Sequence, residues 1–256
     1  MKTIILAGGL GSRLSEMTES TPKPLVPIGH RPVLWHIMKS FASFGHRDFV
    51  VCLGYKGELI KDFFLNYKHF AHRIDLSLRD GKVAYSAEQI EDWSVRLLDT
   101  GVDSLTGGRV RRALSDIGRE PCLMTYGDGV SDVDLGKLLE FHRGHGKLAT
   151  VTAVRPPARF GGLTFEGDRV ASFTEKPQLG EGWINGGFFV LEPGVVDYIA
   201  GDETVFEKEP LERLAREGQL MAYRHEGFWQ CMDTLRDVRL LDSLWHGGAA
   251  PWKRWP

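Results

Sequence analysis

The N-terminal segment of this chain is a short apolar run that leads directly into three glycines, which leaves few folds open. Residues 2–7 (KTIILA) are mostly apolar and β-branched, and glycines follow at positions 8, 9 and 11. Runs of this kind are typical of a buried β-strand. Glycines after such a strand let backbone N–H groups approach an anion, because no Cβ stands in the way. The segment therefore predicts a buried first strand that ends in a phosphate-binding loop.

Strand and helix patterns alternate along the rest of the chain. Apolar residues recur at helical spacing over 33–44 and 56–67, and 48–53 has the pattern of a second buried strand. The same kinds of pattern predict helices over 107–117, 134–145, 209–217 and 235–246 and strands over 121–126 and 148–154. Between 162 and 191 the pattern changes to strands and turns. This order predicts one α/β domain with a parallel sheet between helices, to which the later part adds antiparallel strands.

Composition and charge exclude several classes of protein. The 256 residues carry a net charge of −2, which argues against a protein that coats nucleic acid, and 42% are hydrophobic, which argues against disorder. No apolar stretch approaches the ~20 residues of a membrane span, and the run at 4–7 is too short for a signal peptide. Cys52, Cys122 and Cys231 lie far apart in sequence. We therefore expect neither a zinc site nor disulfides, and a reducing, cytoplasmic setting.

Two cations follow the glycines and could complete a polyphosphate site. Arg13 comes directly after the loop, and Lys23 lies between two prolines that stiffen its backbone. A dinucleotide fingerprint is disfavoured, because Leu14 occupies the place of its third glycine and no helix is predicted to open there. A P-loop is excluded, because its glycine–lysine motif is absent. A glycine turn with two solvated cations is the alternative, but the combination of GGLGSR and KP favours phosphate binding.

These motifs resemble those of the sugar-1-phosphate nucleotidylyltransferases. The first two are GGLGSRL and PKPLVPIG, and further segments extend the resemblance in order along the whole chain: LWHIMKSF, GYKG, TGGR, TYGDGVSD, FTEKP, INGGFFVL and GFWQCMDTLRD. The set as a whole is most similar to the branch of that family that uses CTP and glucose 1-phosphate. The resemblance implies a Rossmann-like mixed α/β sheet of glycosyltransferase-A type, flanked by helices, in a single nucleotidyltransferase domain over 1–256.

The reaction implied by the resemblance is transfer of a cytidylyl group from CTP to α-D-glucose 1-phosphate. It gives CDP-glucose and pyrophosphate by direct in-line attack, with Mg²⁺ as cofactor. Residues 1–150 would bind the nucleotide and residues 151–256 the sugar phosphate. The family also implies a homo-oligomer, with a hexamer suggested, and we expect no nucleic-acid or membrane partner.

Two aspartates are the predicted metal ligands. Asp128 follows the strand 121–126 in a glycine-flanked turn, and Asp233 lies just before the last helix. Open α/β sheets bind ligands at the carboxyl ends of their strands, and Mg²⁺ takes one or two carboxylates together with substrate phosphates. By the resemblance, these two residues hold the Mg²⁺. Taken alone, they could be a turn residue and a helix cap, and Asp132 is predicted to cap the helix 134–145.

The resemblance also assigns residues to the nucleotide. Arg13, Lys23 and Asp128 are the implied catalytic residues, and Thr106 and Arg109 the implied nucleotide contacts. The glycine loop and Arg13 would hold the β- and γ-phosphates, and Lys23 would neutralise charge at the α-phosphate. The implied binding residues of the loop are Leu6, Ala7, Gly8, Gly9, Leu10, Gly11, Ser12 and Arg13.

Residues for the sugar phosphate lie in the second half of the chain. Lys176 would hold the phosphate, Glu175 would accept hydrogen bonds from sugar hydroxyls, and Asn185 with Gly186 would contact the hexose. Without the resemblance, a surface lysine and an Asn-Gly turn are the better interpretation of these segments.

Other interpretations stay open from the sequence. The enzyme could transfer a thymidylyl, uridylyl or guanylyl group, or the chain could be an NAD-dependent oxidoreductase or a non-catalytic sugar-nucleotide sensor. His142 and His145 are predicted to lie on a solvated helix face rather than to bind metal. The tail with Trp245, Trp252 and Trp255 is predicted to dock on the domain or on a neighbouring subunit.

Overall fold

Strands and helices follow the predicted order along the chain. The computed structural model describes residues 1–71, 73–85, 90–118, 120–156, 162–166, 169–174 and 182–255. The strands are β1 (Thr3–Leu6), β2 (Pro27–Ile28), β3 (Arg31–Pro32), β4 (Asp48–Leu53), β5 (Ile74–Leu76), β6 (Val83–Tyr85), β7 (Ser94–Asp99), β8 (Cys122–Tyr126), β9 (Gly129–Ser131), β10 (Ala149–Val154), β11 (Gly162–Glu166), β12 (Arg169–Thr174), β13 (Ile184–Leu191), β14 (Leu220–His225) and β15 (Trp229–Cys231). The helices are α1 (Ser15–Thr18), α2 (Val33–Ser43), α3 (Gly57–Leu65), α4 (Tyr67–Ala71), α5 (Thr106–Asp116), α6 (Leu135–His145), α7 (Glu209–Arg216) and α8 (Leu235–His246).

The main sheet has seven strands in the order β14-β10-β13-β8-β1-β4-β7. β13 runs antiparallel to both of its neighbours, and the other pairs are parallel. The chain builds outward from β1 through β4 to β7 and then returns to place β8 on the other side of β1. β1 therefore lies at the point where the strand order reverses, which is where open α/β sheets bind ligands. The prediction of a mixed α/β sheet to which the later part of the chain adds antiparallel strands, here β11, β12 and β13, is confirmed. The hairpin β5–β6 is a further antiparallel pair outside that part.

Both faces of the sheet are covered by helices. On one face Ile5 of β1 belongs to a core that includes residues of α2, α6 and α8. On the other face Ile4 and Leu6 belong to a core that includes residues of α5 and α7. This double burial explains why β1 is an unbroken apolar run rather than an alternating one. In the described part of the chain, every helix is too short or too polar to cross a membrane.

The tryptophan-rich C-terminal segment docks on its own domain. Trp252 is fully buried and stacks on Phe228, with ring centroids 5.6 Å apart. Its indole N–H also points at Nδ1 of His36, 3.4 Å away, while Nε2 of His36 lies 2.9 Å from the carbonyl oxygen of Ile28. A neutral imidazole satisfies both contacts, because it accepts at Nδ1 and donates at Nε2. Of the two docking places predicted for the tail, the structure shows the domain itself.

We expect His36 to make the fold acid-sensitive. Burial lowers the pKa of His36 from 6.5 to about 4, because the charged imidazolium loses its hydration there. Protonation would also turn Nδ1 into a donor facing the indole N–H of Trp252. Between these two values the unfolded chain binds a proton that the folded chain does not, so the free energy of unfolding falls as the pH drops. From about pH 7.5 to about pH 5 the loss from this histidine is about 2 kcal/mol. Denaturant unfolding of the wild type and of His36→Gln at both pH values measures it.

The matched control is His246→Gln, which replaces an exposed imidazole at the end of α8. This variant should keep the wild-type difference between the two pH values, whereas His36→Gln should reduce it by about 2 kcal/mol. If the free energy of unfolding depends on pH equally in the wild type and in His36→Gln, His36 is not the source of the acid sensitivity.

Two predicted details near the glycine loop and α6 are wrong. A short helix, α1, does open after the loop. The cap of α6 is Asp134, whose carboxylate accepts from the backbone N–H of Lys137 at 3.0 Å. Asp132 instead contacts Nε2 of His225 at 2.8 Å. Sequence spacing allowed either Asp132 or Asp134 to cap α6. Asp132 is engaged by His225 of β14, and Asp134 is the cap.

The predicted solvated face of α6 is also wrong at one position. His142 is only 4% exposed and lies between the hydroxyl of Thr150, at 2.8 Å, and the carboxylate of Glu192, at 3.2 Å. His145 contacts the same hydroxyl at 2.7 Å. The two histidines therefore link α6 to β10 through Thr150, and His142 does not face solvent.

Candidate active site

A cleft of about 360 Å³ opens at the carboxyl ends of β1 and β8. The glycine loop forms one wall and the start of α5 the other. The predicted residues that line it are Leu6, Ala7, Gly8, Gly9, Gly11, Ser12, Lys23, Thr106, Arg109, Asp128 and Asp233. Leu10 is the loop residue that does not line it, and its side chain is 63% exposed. Residues that sequence reasoning did not name also line this cleft, among them Ser104 and Tyr126.

Arg109 explains why the loop begins with glycine. Its guanidinium is buried beneath the loop and donates to the carbonyl oxygen of Gly8 at 3.0 Å. It also donates to the hydroxyl of Thr100 at 2.6 Å and to the carbonyl oxygen of Leu53 at 2.9 Å. A Cβ on Gly8 would stand 2.2 Å from a guanidinium nitrogen and 2.8 Å from the backbone nitrogen of Gly54, so a larger residue would force both this backbone and Arg109 to shift. Contact between Arg109 and the nucleotide stays a prediction, and in this structure its nitrogens hold the ends of three strands together.

Lys23 forms the centre of the site. Its ammonium donates to Oδ2 of Asp128 and to Oδ1 of Asp233, both at 2.6 Å. The lysine is held in a turn of 3-10 helix, Lys23–Leu25, and is only 8% exposed. Burial alone lowers the pKa of Lys23, but the two carboxylates outweigh that effect, and the net pKa is raised. The lysine is therefore a fixed positive charge between two negative ones.

A small antiparallel ribbon brings the two aspartates together. In it β9 pairs with β15, and Gly129 faces Cys231. Asp128 precedes β9, and Asp233 follows shortly after β15, so both project from the same end of the ribbon. The backbone N–H of Met232 closes this end by donating to the carbonyl oxygen of Asp128 at 2.8 Å.

Asp128 and Asp233 fit a divalent cation that brings further ligands with it. Both carboxylates already share one cation, the ammonium of Lys23, so they converge on a single point. Among the residues that the structure describes, no group of three or more His, Cys, Asp or Glu side chains could hold a metal. Mg²⁺ needs few protein carboxylates where phosphates and water complete its octahedron. The pair therefore suits Mg²⁺ bound together with a polyphosphate.

A second cleft of about 470 Å³ continues from the first. The two share Thr106, Tyr126, Asp128 and Asp233 as lining residues. The second cleft adds the predicted sugar residues Asn185 and Gly186, together with Phe188, Glu207, Trp229 and Cys231. Because β13 runs antiparallel to β8, its first residues lie at the edge of the sheet where β8 ends.

Close packing fixes the start of β13. Gly187 has a φ of +79°, and a Cβ there would stand 2.6 Å from the ring of Tyr126. The indole N–H of Trp229 donates to the carbonyl oxygen of Gly186 at 2.7 Å. The Asn-Gly pair is thus the beginning of a strand beside the site and not a hairpin turn.

Three of the predicted groups lie outside what the structure describes. These are the residues Glu175 and Lys176 and the side chain of Arg13, whose backbone belongs to the 3-10 turn Ser12–Leu14. Glu207 and Trp229 were missed by sequence reasoning. Trp229 lies in GFWQCMDTLRD, one of the segments that resemble the family, and that resemblance was a signal for it. Glu207 lies in none of these segments, and no local pattern identifies it.

Comparisons with known proteins agree with this architecture. A family model of nucleotidyl transferases matches residues 2–247. The glucose-1-phosphate cytidylyltransferase of Salmonella typhi is 51% identical, with 100% of both chains covered. The probable glucose-1-phosphate cytidylyltransferase of Bacillus subtilis is 45% identical, again with full coverage of both.

The structure of HddC from Yersinia pseudotuberculosis superposes with a TM-score of 0.71 at 23% identity, covering 95% of this chain and 99% of that one. At that identity the likeness shows the fold alone. The full-length matches in sequence confirm the predicted relationship, and this chain belongs to the nucleotidyl transferase family.

Proposed function

We propose that this enzyme transfers a cytidylyl group from CTP to α-D-glucose 1-phosphate and releases pyrophosphate. The observation that carries the proposal is the pair of continuous clefts, with Lys23, Asp128 and Asp233 at their junction beside the glycine loop. Full-length identity of 51% to a glucose-1-phosphate cytidylyltransferase supports the choice of both substrates. The free thiols of Cys52, Cys122 and Cys231 support a reducing compartment such as the cytoplasm.

The reaction brings two anions into contact, and the chain supplies fixed charge where they meet. CTP would lie in the first cleft with its phosphates on the N–H groups of the glycine loop, and the sugar phosphate would lie in the second. An oxygen of glucose 1-phosphate attacks the α-phosphorus of CTP in line as the bond to the β-phosphate oxygen breaks. Lys23 stabilises the charge that develops at the α-phosphate, and orientation with electrostatics is sufficient without a covalent enzyme intermediate.

Asp128 and Asp233 would hold Mg²⁺ at the junction, where the ion would neutralise phosphate charge. The two carboxylates orient this site, and the ammonium of Lys23 keeps them together before substrate binds. Arg13 and Lys176 would supply further positive charge to the nucleotide and sugar phosphates. In this scheme residues 1–150 bind the nucleotide and residues 151–256 the sugar phosphate.

Base selectivity provides the test. Pyrophosphate release is measured with glucose 1-phosphate and each of CTP, UTP, dTTP and GTP. We expect kcat/KM for CTP to exceed the others by about 100-fold or more, because a site built on hydrogen bonds to one base edge rejects the others. A higher value for another nucleotide contradicts the proposal, and no release with any of them favours a non-catalytic sensor.

We propose further that copies of this chain associate through the β5–β6 hairpin. Ile74, Leu76, Val83 and Tyr85 share one face of this ribbon, since Ile74 pairs with Tyr85 and Leu76 with Val83. Each of the four is at least 39% exposed. Among the described residues the ring of His69 stacks on Tyr85, with centroids 5.7 Å apart, and the rest of the face stays exposed. A two-stranded ribbon is marginally stable alone, and a second copy presents a matching face that would cover it.

We expect Leu76→Lys to lower the mass measured by light scattering after gel filtration at least twofold, because it places a charge in the apolar face. The control is Asp75→Lys, which changes the charge on the opposite face of the same strand and should leave the mass unaltered. A monomeric wild type, or equal masses for wild type and Leu76→Lys, contradicts the proposed interface.

A further inference from the structure

Glu207 lines the second cleft and bonds to two residues that line both clefts, and we infer that it determines which hexose 1-phosphate the second cleft accepts. The inference rests on the proposed function. Glu207 follows Phe206, a fully buried residue whose ring packs on that of Phe189 with centroids 5.8 Å apart. This packing holds the backbone of Glu207 against β13 and directs its carboxylate to the place where the clefts meet.

The carboxylate fixes two hydroxyl groups, one on each side. Oε2 accepts from the hydroxyl of Thr106 at 2.6 Å, and Oε1 accepts from the hydroxyl of Tyr126. The Thr106 oxygen in turn accepts from the backbone N–H of Phe206 at 2.9 Å. An ionised carboxylate can only accept, so both hydroxyl protons are committed to Glu207.

This arrangement sets the orientation of Asn185. With its proton directed at Glu207, the hydroxyl of Tyr126 accepts from Nδ2 of Asn185 at 3.3 Å. Oδ1 of Asn185 accepts from the backbone N–H of Gly187 at 2.8 Å. Burial, with Glu207 nearby, raises the pKa of Tyr126, so the phenol keeps its proton. Asn185 is left with an N–H to offer a ligand, and its carbonyl oxygen already has a partner.

The second cleft therefore presents a fixed pattern of donors and acceptors. Asn185 offers a donor, and the carboxylate of Glu207 offers its remaining lone pairs as acceptors. Trp229, held by its bond to Gly186, lines the same space. A hexose ring that has a hydroxyl acceptor and a hydroxyl donor at the matching positions fits this pattern, and an epimer with one of them inverted does not. Glu207 thus selects the sugar both through its own free lone pairs and through the orientation that Tyr126 passes to Asn185, and it does not act on the reacting phosphorus.

The test is Glu207→Gln, which keeps the size and shape of the side chain. It replaces one carboxylate oxygen with an NH₂ group, a donor that would face the hydroxyl of Thr106 or of Tyr126. We expect KM for glucose 1-phosphate to rise about tenfold or more and KM for CTP to change less than about twofold. The preference for glucose 1-phosphate over galactose 1-phosphate should fall about tenfold, which corresponds to about 1.4 kcal/mol. Tyr126→Phe removes the hydroxyl that links Glu207 to Asn185 but leaves the carboxylate and its bond to Thr106 in place, so it should shift the same two quantities, though less.

The matched control is Glu203→Gln, at an exposed position outside both clefts, which should behave as wild type. Unchanged sugar KM and sugar preference in a folded Glu207→Gln overturn the inference, as do equal changes in both KM values. If Glu207→Gln does not fold, Tyr126→Phe decides by the same criteria. A wild type that releases no pyrophosphate with CTP and any hexose 1-phosphate overturns the proposed function and this inference together, whereas an active wild type with unaltered variants overturns this inference only.

Discussion

Replacement of Lys23 by alanine is expected to lower kcat by a factor of about 100 or more. The ammonium is fixed at 2.6 Å from each of two carboxylates, in the cleft where the α-phosphate of the nucleotide would lie. A preorganised charge of this kind stabilises the transition state without reorganising during the reaction. Steady-state pyrophosphate release at saturating CTP and glucose 1-phosphate measures the effect.

The matched control is Lys39→Ala. Lys39 also donates to a carboxylate at 2.6 Å, that of Glu91, but it lines neither cleft. It should retain wild-type turnover, and a melting temperature for each variant separates lost catalysis from lost folding. Near-normal turnover of a folded Lys23→Ala removes this lysine from the mechanism.

Replacing either proposed metal ligand, Asp128 or Asp233, is expected to lower turnover about 100-fold or more as well. Asp128→Asn and Asp233→Asn each keep the size of the side chain and remove one of the two charges that converge on a cation. Because the pair acts as a unit, the double variant should be little worse than either single one. Calorimetric titration of Mg²⁺ in the presence of CTP gives an independent measurement, in which each variant should bind the ion more weakly.

Asp132→Asn is the control for these variants. This carboxylate belongs to the same segment of chain, but it contacts His225 and lines neither cleft. It should bind Mg²⁺ and turn over as wild type does. Full activity and unaltered ion binding in both Asp128→Asn and Asp233→Asn would refute the metal site.

Local patterns predicted the first strand and the glycine loop that line the first cleft. β1 and the glycine loop are consecutive in sequence, and apolar runs and glycines have direct local consequences for backbone and burial. Asp128 was identifiable for the same reason, since it follows a buried strand whose carboxyl end must face the ligand edge of the sheet. Features encoded within about ten residues were therefore accessible from the amino-acid order alone.

Contacts between distant segments were not accessible in this way. Arg109 lies in a basic run with Arg111 and Arg112, a composition typical of a solvated helix face, but its side chain is buried beneath Gly8, 101 positions away. His142 has the same kind of pattern and is buried because β10 and Glu192 pack against it. In both cases helical spacing defined a face, and the neighbours of that face came from elsewhere in the chain.

The order of amino acids was thus enough to predict the α/β class and a glycine loop after the first strand, because these depend on short-range periodicity and on glycine, whereas the pairing of Asp128 with Asp233 was implied by the family resemblance. Only the tertiary structure decided that Lys23 lies between Asp128 and Asp233, 105 and 210 positions away, and that Glu207 bonds to Thr106 and Tyr126. The physical reason is that these contacts depend on the β9–β15 ribbon and on the packing of Phe206, and pairing between distant segments leaves no local trace in sequence.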